Sequence, residues 1–155
     1  MNTQPVRVVA PPPLIYLSVL GAGVALHFLW EPLRFFPAAW VGHAAGWPVF
    51  GVALLVLLWS LRAFAKHGED IRIEKPTNKL VTEGPYRFSR NPIYIALTLA
   101  YAGISLIVNT IWPVIFLPVA LAVMHYGVIR REERYLEGLF GDQYRQYRTR
   151  VRRWL

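Results

Sequence analysis

The sequence predicts an all-α fold: an integral membrane helical bundle of four transmembrane helices, with a tight hairpin between spans three and four and a C-terminal amphipathic helix in the membrane interface. Three observations predict it. Hydrophobic residues make up 55% of the 155 positions, and mean hydropathy is +0.33, high for a water-soluble domain. Charge is segregated: between residues 14 and 59 the only charged side chains are Glu31 and Arg34, and between 91 and 129 there are none. The remaining charge is strongly basic, with 17 Lys and Arg against 9 Asp and Glu, and it sits between and after the apolar runs.

The first span, residues 14–30 (LIYLSVLGAGVALHFLW), crosses most of a ~30 Å hydrocarbon core at ~1.5 Å per residue. It exceeds a signal-peptide core and lacks a small-residue cleavage site, so it reads as a span. The second covers about 44–65, with Trp47 toward one end and Arg62 and Lys66 at the other. The third, 92–108, and the fourth, 111–129, are separated only by Asn109 and Thr110, which demands an antiparallel hairpin. Basic residues crowd the loop 66–91 and the segment 130–155, where eight arginines lie, whereas the other loops carry only Arg34. The positive-inside rule then places both termini and the 66–91 loop in the cytoplasm, in a plasma or inner membrane.

Residues 130–155 repeat apolar positions at steps of three and four (Leu136, Leu139, Phe140, Tyr144, Tyr147, Val151) among arginines. This is the pattern of an interfacial helix, broken at Gly141 with Asp142 as a new N-cap. No internal repeat, low-complexity tract or second domain interrupts residues 1–155, so the whole chain reads as one domain. Because the basic residues flank apolar spans instead of forming one soluble patch, membrane phospholipids are the expected partners and nucleic acid is not. The chain has no cysteine, which excludes thiolate chemistry, and His27, His43 and His67 lack ligand spacing, so no metal is expected.

Two polar constellations border the last two spans. The first is GPYRFSRNPIY, residues 84–94, in which Asn91 and Pro92 predict a helix start: Asn at the N-cap, Pro where a missing N–H costs nothing. In the plainest reading, Arg87 and Arg90 there bind lipid phosphate. A helix N-terminus flanked by arginines also suits a carboxylate or phosphate. The second is Glu132-Glu133, which either pairs with Arg130, Arg131 or Arg134 on a solvated face or turns one carboxylate inward, since adjacent helical residues diverge by about 100°. His125 lies seven residues before Glu132, on the same predicted stripe, and an ionisable group inside a span is a functional candidate. The hairpin brings both constellations to one side, where a helix N-terminus, aromatic rings and a carboxylate can hold a zwitterion bearing a positive centre.

The segment LVTEGPYRFSRNPIY, the hairpin, and EERYLEGLFGDQYRQYRTRV together resemble the isoprenylcysteine carboxyl methyltransferase and phospholipid methyltransferase superfamily, over roughly residues 77–151. The resemblance implies an integral membrane enzyme that uses S-adenosyl-L-methionine, releases S-adenosyl-L-homocysteine, and methylates a carboxylate, amine or thiol of a lipophilic small molecule or lipid at the cytoplasmic face. It also implies cofactor contacts at Asn78, Lys79, Leu80, Val81, Tyr86, Asn91, Pro92, Ile93, Tyr94 and Glu132. It marks no catalytic residue; His125, Arg130 and Arg131 are the candidates. Asn91 stands where most members have His, Ala96 where many have Gly, and Val128 where prenylcysteine-specific members place an arginine for the substrate carboxylate.

Two alternatives predict different ligands. A sterol-reductase-like membrane oxidoreductase would use NADPH, although Ile93 and the uncharged run IALTLAY depart from its pattern. A non-enzymatic lipid-binding membrane protein would engage only head groups.

Overall fold

The computed structural model describes residues 8–30, 32–66 and 79–154. Among these residues all regular structure is helical. Helix α1 is Pro12–Leu29 and α2 is Ala39–Lys66; a 3-10 turn, Gly84–Arg87, precedes α3, Pro92–Ile107. Helix α4, Trp112–Met124, passes through a π turn, His125–Ile129, into α5, Arg130–Phe140, and α6 is Asp142–Arg150. The expected first and second spans are therefore present with earlier starts.

Three helical runs are long and apolar enough to cross a membrane: α1 with 18 residues, α2 with 28, and the continuous run Trp112–Phe140 with 29. Helix α3 is apolar but has only 16 residues, about 24 Å at 1.5 Å each, so it falls short of the other three. The fourth predicted span runs without a break into the helix predicted after it. The helix does not stop at residue 129 but continues through the Glu132-Glu133 pair to Phe140, since nothing there breaks it until Gly141. At Gly141 φ is 51°, the left-handed region that favours glycine, and its N–H donates to Glu137 O at 2.9 Å. Asp142 does not cap α6 as expected: Gly141 holds the cap position, and the Asp142 carboxylate pairs with Arg145 at 3.1 Å.

Close backbone contact organises the bundle. Along α2, Gly42 and Gly46 face α3, where a Cβ on Gly46 would lie 2.7 Å from Ile107 N and 2.8 Å from Gly103 O. Gly103 faces Phe50 in return, its would-be Cβ 2.9 Å from the Phe50 N. This small-residue spacing lets two apolar helices approach closely where no hydrophobic force drives them together. Gly23 of α1 meets Pro113 of α4 in the same manner. The chain reverses at Asn109 (φ 56°), whose side-chain amide ties to Phe36 through Nδ2–H to O at 2.8 Å and N–H to Oδ1 at 3.0 Å. Tyr101 then donates across to Pro113 O. A core of Ile15, Tyr16, Leu20, Tyr94, Tyr101, Met124, Val128 and Ile129 joins α1, α3 and α4 with its π turn.

Candidate functional site

A cavity of about 500 Å³ opens where the starts of α1 and α3, the far end of α2, and α5 and α6 meet. Of the ten predicted cofactor contacts, Lys79, Leu80, Val81, Tyr86, Asn91, Ile93, Tyr94 and Glu132 line it. Pro92 is buried at the first turn of α3 without lining the cavity, and Asn78 lies outside the described residues.

Each wall follows from local structure. The 3-10 turn is set by Gly84 (φ 60°) and Pro85, and it points Tyr86 inward, edge-on to Phe64 at 5.4 Å between ring centroids. Tyr86 O accepts from Tyr147 Oη at 2.7 Å, which pins α6 to this turn. Burial pushes the hydroxyls of Tyr86 and Tyr147 well above the ordinary phenol range, so both stay neutral donors at physiological pH. Tyr147→Phe removes that donor from a buried carbonyl and is expected to lower stability by about 1 kcal/mol in thermal melts of the purified protein.

The two glutamates divide as the helical geometry requires, but not with the expected arginines. Glu133 pairs with Arg90 at 3.0 Å and with Arg153 at 2.7 Å, drawing together α3's approach, α5 and the segment after α6. Its carboxylate beside Arg153 raises that guanidinium's pKa further. Glu132 turns inward and accepts from Tyr94 Oη at 2.6 Å. Among the described residues no cation is paired with Glu132, which leaves a carboxylate on the cavity wall held only by a phenol.

Three expectations need correction. Asn91 makes no side-chain cap; the first turn of α3 closes through Asn91 O, while Nδ2 donates to Arg153 O at 2.9 Å. The Arg90 guanidinium is directed not to lipid but to Glu133 and, at 3.4 Å, to Tyr144 Oη. His125 does not share Glu132's stripe: it lines a second cavity, of about 640 Å³, with Thr98, Tyr126 and Trp154. The π turn is the reason. Arg130 N–H reaches back five residues to His125 O, which inserts one residue into the α pattern and rotates the rest of the helix by roughly 100°. Arg130 is exposed with its guanidinium 5.8 Å from the Tyr126 ring centre, and Arg131 is exposed as well. Neither lines the first cavity. Val128, where the resemblance implies an arginine in prenylcysteine-specific members, is fully buried in the core.

Sequence reasoning missed the rest of the wall. Leu57, Leu61 and Phe64 come from α2, and Tyr144 and Tyr147 from α6. The two tyrosines belong to an amphipathic stripe, and their three-residue spacing predicts a membrane-facing surface. They are instead buried against the protein, Tyr144 at 1% exposure.

An apolar helical bundle with three helices long enough to span a bilayer, and a cavity at one end lined by two glutamates, neutral phenols and a helix start, defines a class of integral membrane protein with a candidate site at that end. Residues 41–143 match the phospholipid methyltransferase family, and the chain belongs to that family. It is 33% identical over 117 residues to methanethiol S-methyltransferase 1 of Bradyrhizobium diazoefficiens, covering 69% of this chain and 37% of that protein. It is 32% identical over 72 residues to the protein-S-isoprenylcysteine O-methyltransferase of Schizosaccharomyces pombe, covering 46% and 30%. A third relative, the cobalt-zinc-cadmium resistance protein CzcN of Cupriavidus metallidurans, is 33% identical over 77 residues, covering 50% and 35%. The aligned regions span about a third of the length of these curated relatives. No solved structure matches the chain.

Proposed function

We propose that the protein transfers a methyl group from S-adenosyl-L-methionine to a lipophilic acceptor that arrives from the bilayer, at the cytoplasmic face of a four-span bundle in which α3 is the short third span. The observation that carries this reading is Glu132: a cavity-facing carboxylate with no paired cation among the described residues, held by Tyr94 beside the start of α3. A ligand with a cationic centre fits there, and a volume of about 500 Å³ suits a molecule of nucleoside-amino-acid size. When bound, S-adenosyl-L-methionine supplies a methyl group activated on a sulfonium.

In this reading Glu132 holds the cationic or hydroxyl side of the cofactor. The start of α3, with Asn91, Pro92 and Ile93, faces its anionic end, where the positive end of the helix dipole favours negative charge. Tyr86 and Tyr94 wall the site, and Lys79, Leu80 and Val81 close it on the loop side. These residues align the reactants and exclude water, which is most of what an in-line displacement asks of a protein. A carboxylate or thiolate acceptor needs no protein base, and an amine is kept neutral by the apolar surroundings. The arginines of α5 and α6 meet anionic head groups, and both termini lie in the cytoplasm.

One comparison separates this reading from a nicotinamide-dependent reductase and from a non-enzymatic lipid-binding protein. In detergent, S-adenosylhomocysteine at about 100 times its dissociation constant should stabilise the protein by about 2.7 kcal/mol, while NADPH should do nothing. Stabilisation by NADPH alone, or by neither compound, contradicts the proposal.

A further inference from the structure

Three consecutive residues of the GPYRFSRNPIY motif are engaged with one short stretch of chain after α6. Ser89 Oγ donates to Arg153 O at 3.1 Å, Arg90 N–H donates to Arg152 O at 2.9 Å, and Asn91 Nδ2 donates to the same Arg153 O at 2.9 Å. Ser89 Oγ also accepts from Asn91 N–H at 3.1 Å, which joins Ser89 and Asn91 in one network on Arg153 O. Ser89 is 1% exposed and Asn91 8% exposed, so these bonds are shielded from water. The side chain of Arg153 closes a second attachment through two bonds to Glu133, Nε to Oε1 at 2.9 Å and Nη2 to Oε2 at 2.7 Å. Beyond it, Trp154 lines the second cavity beside Thr98 and His125.

We infer that residues 151–154 form a strap that sets the geometry of the candidate cofactor site, with Asn91 as its latch and Arg153 as a positioning residue. The strap grips the three positions immediately before α3, and α3 carries Tyr94, the hydroxyl that holds Glu132. Through Arg153 it also grips Glu133, the neighbour of Glu132 on α5. One segment therefore fixes the two walls between which Glu132 and Tyr94 meet. It also supplies a counter-charge to Glu133, so that of the two cavity-lining carboxylates Glu132 is the one without a paired cation among the described residues. Asn91 acts through this attachment: its amide donor is directed to the strap.

The inference rests on the cofactor reading for its functional half and on geometry alone for the latch, and two readouts separate them. The first is the rate of limited trypsin cleavage after Arg152 and Arg153 in detergent-purified protein, read by mass spectrometry. The second is the affinity for S-adenosylhomocysteine by calorimetry. Asn91→Ala should speed cleavage at those bonds and weaken binding, each by about tenfold, the scale of one lost shielded hydrogen bond. Asn91→His, which retains a ring N–H donor, should restore both toward the parent values. Arg153→Ala, at a residue already one-third exposed and so tolerant of folding, should weaken binding similarly.

Unchanged cleavage in Asn91→Ala would overturn the latch. Faster cleavage with unchanged affinity would overturn the positioning role. If the parent protein itself binds no S-adenosylhomocysteine, the cofactor reading falls and takes the positioning role with it, while the trypsin comparison still decides the latch.

Discussion

Glu132→Gln is expected to weaken binding of S-adenosylhomocysteine by roughly ten- to a hundredfold while leaving the protein folded. The amide keeps an oxygen for Tyr94 Oη, which donates to Glu132 Oε1 at 2.6 Å, so the wall of the cavity stays in place. What disappears is the negative charge. A hydrogen bond to a charged group is worth about 1.5–3 kcal/mol, and each 1.4 kcal/mol is tenfold in affinity. Glu132→Ala goes further, because it also leaves the buried Tyr94 hydroxyl without its acceptor, and it should abolish binding. Calorimetry on both variants, with helical content measured alongside, checks this. Full affinity in Glu132→Gln would remove the residue from the site.

The largest effect on stability is expected from Gly46→Val. Even a single Cβ at this position would stand 2.7 Å from Ile107 N and 2.8 Å from Gly103 O, and both are backbone atoms that cannot swing aside. Helices α2 and α3 would have to separate along the line that also includes Gly42 and Phe50. Overpacking of a fitted contact costs about 1–3 kcal/mol, and here two backbone clashes arise together, so the upper end or beyond is expected. Gly51→Ala on the same helix is the control, because a Cβ there meets nothing within 4 Å. The comparison is the detergent melting temperature of the two variants. Equal melting temperatures would show that α2 and α3 do not meet as described.

Much of this architecture is readable in the sequence because apolar runs and punctuation agree. Pro12, Pro92 and Trp112 open helices close to the predicted starts, and Gly141 ends α5 where a glycine is expected to stop it. The pairing of helices is less legible. Adjacency in sequence suggests a self-contained α3–α4 hairpin, yet α3 lies chiefly along α2, for which the signal is the Gly42 and Gly46 spacing. The π turn at His125–Ile129 leaves no mark in composition, and it alone moves His125 away from Glu132.

The site is legible in part for a similar reason. Adjacent glutamates on a helix must diverge, so one inward carboxylate can be foreseen. Which one is left without a paired cation among the described residues, and which arginines take the other, depends on Arg153 folding back from 20 residues away. No local pattern announces such a contact. The polar residues before α3 suggest capping and anion binding because those are their common local uses. Their actual partners, the Arg152 and Arg153 carbonyls, are backbone atoms that carry no residue-type signature.

The central claim is that the cavity between the start of α3 and α5 holds S-adenosyl-L-methionine. Its most direct test is ultraviolet crosslinking of the methyl-tritiated compound to detergent-purified protein, followed by tryptic mapping. The label should appear on the peptide of residues 80–87, which carries Tyr86, or on the peptide beginning at Asn91, which carries Tyr94, and excess S-adenosylhomocysteine but not NADPH should suppress it. Label confined to other peptides, or labelling that S-adenosylhomocysteine leaves untouched, would contradict the claim.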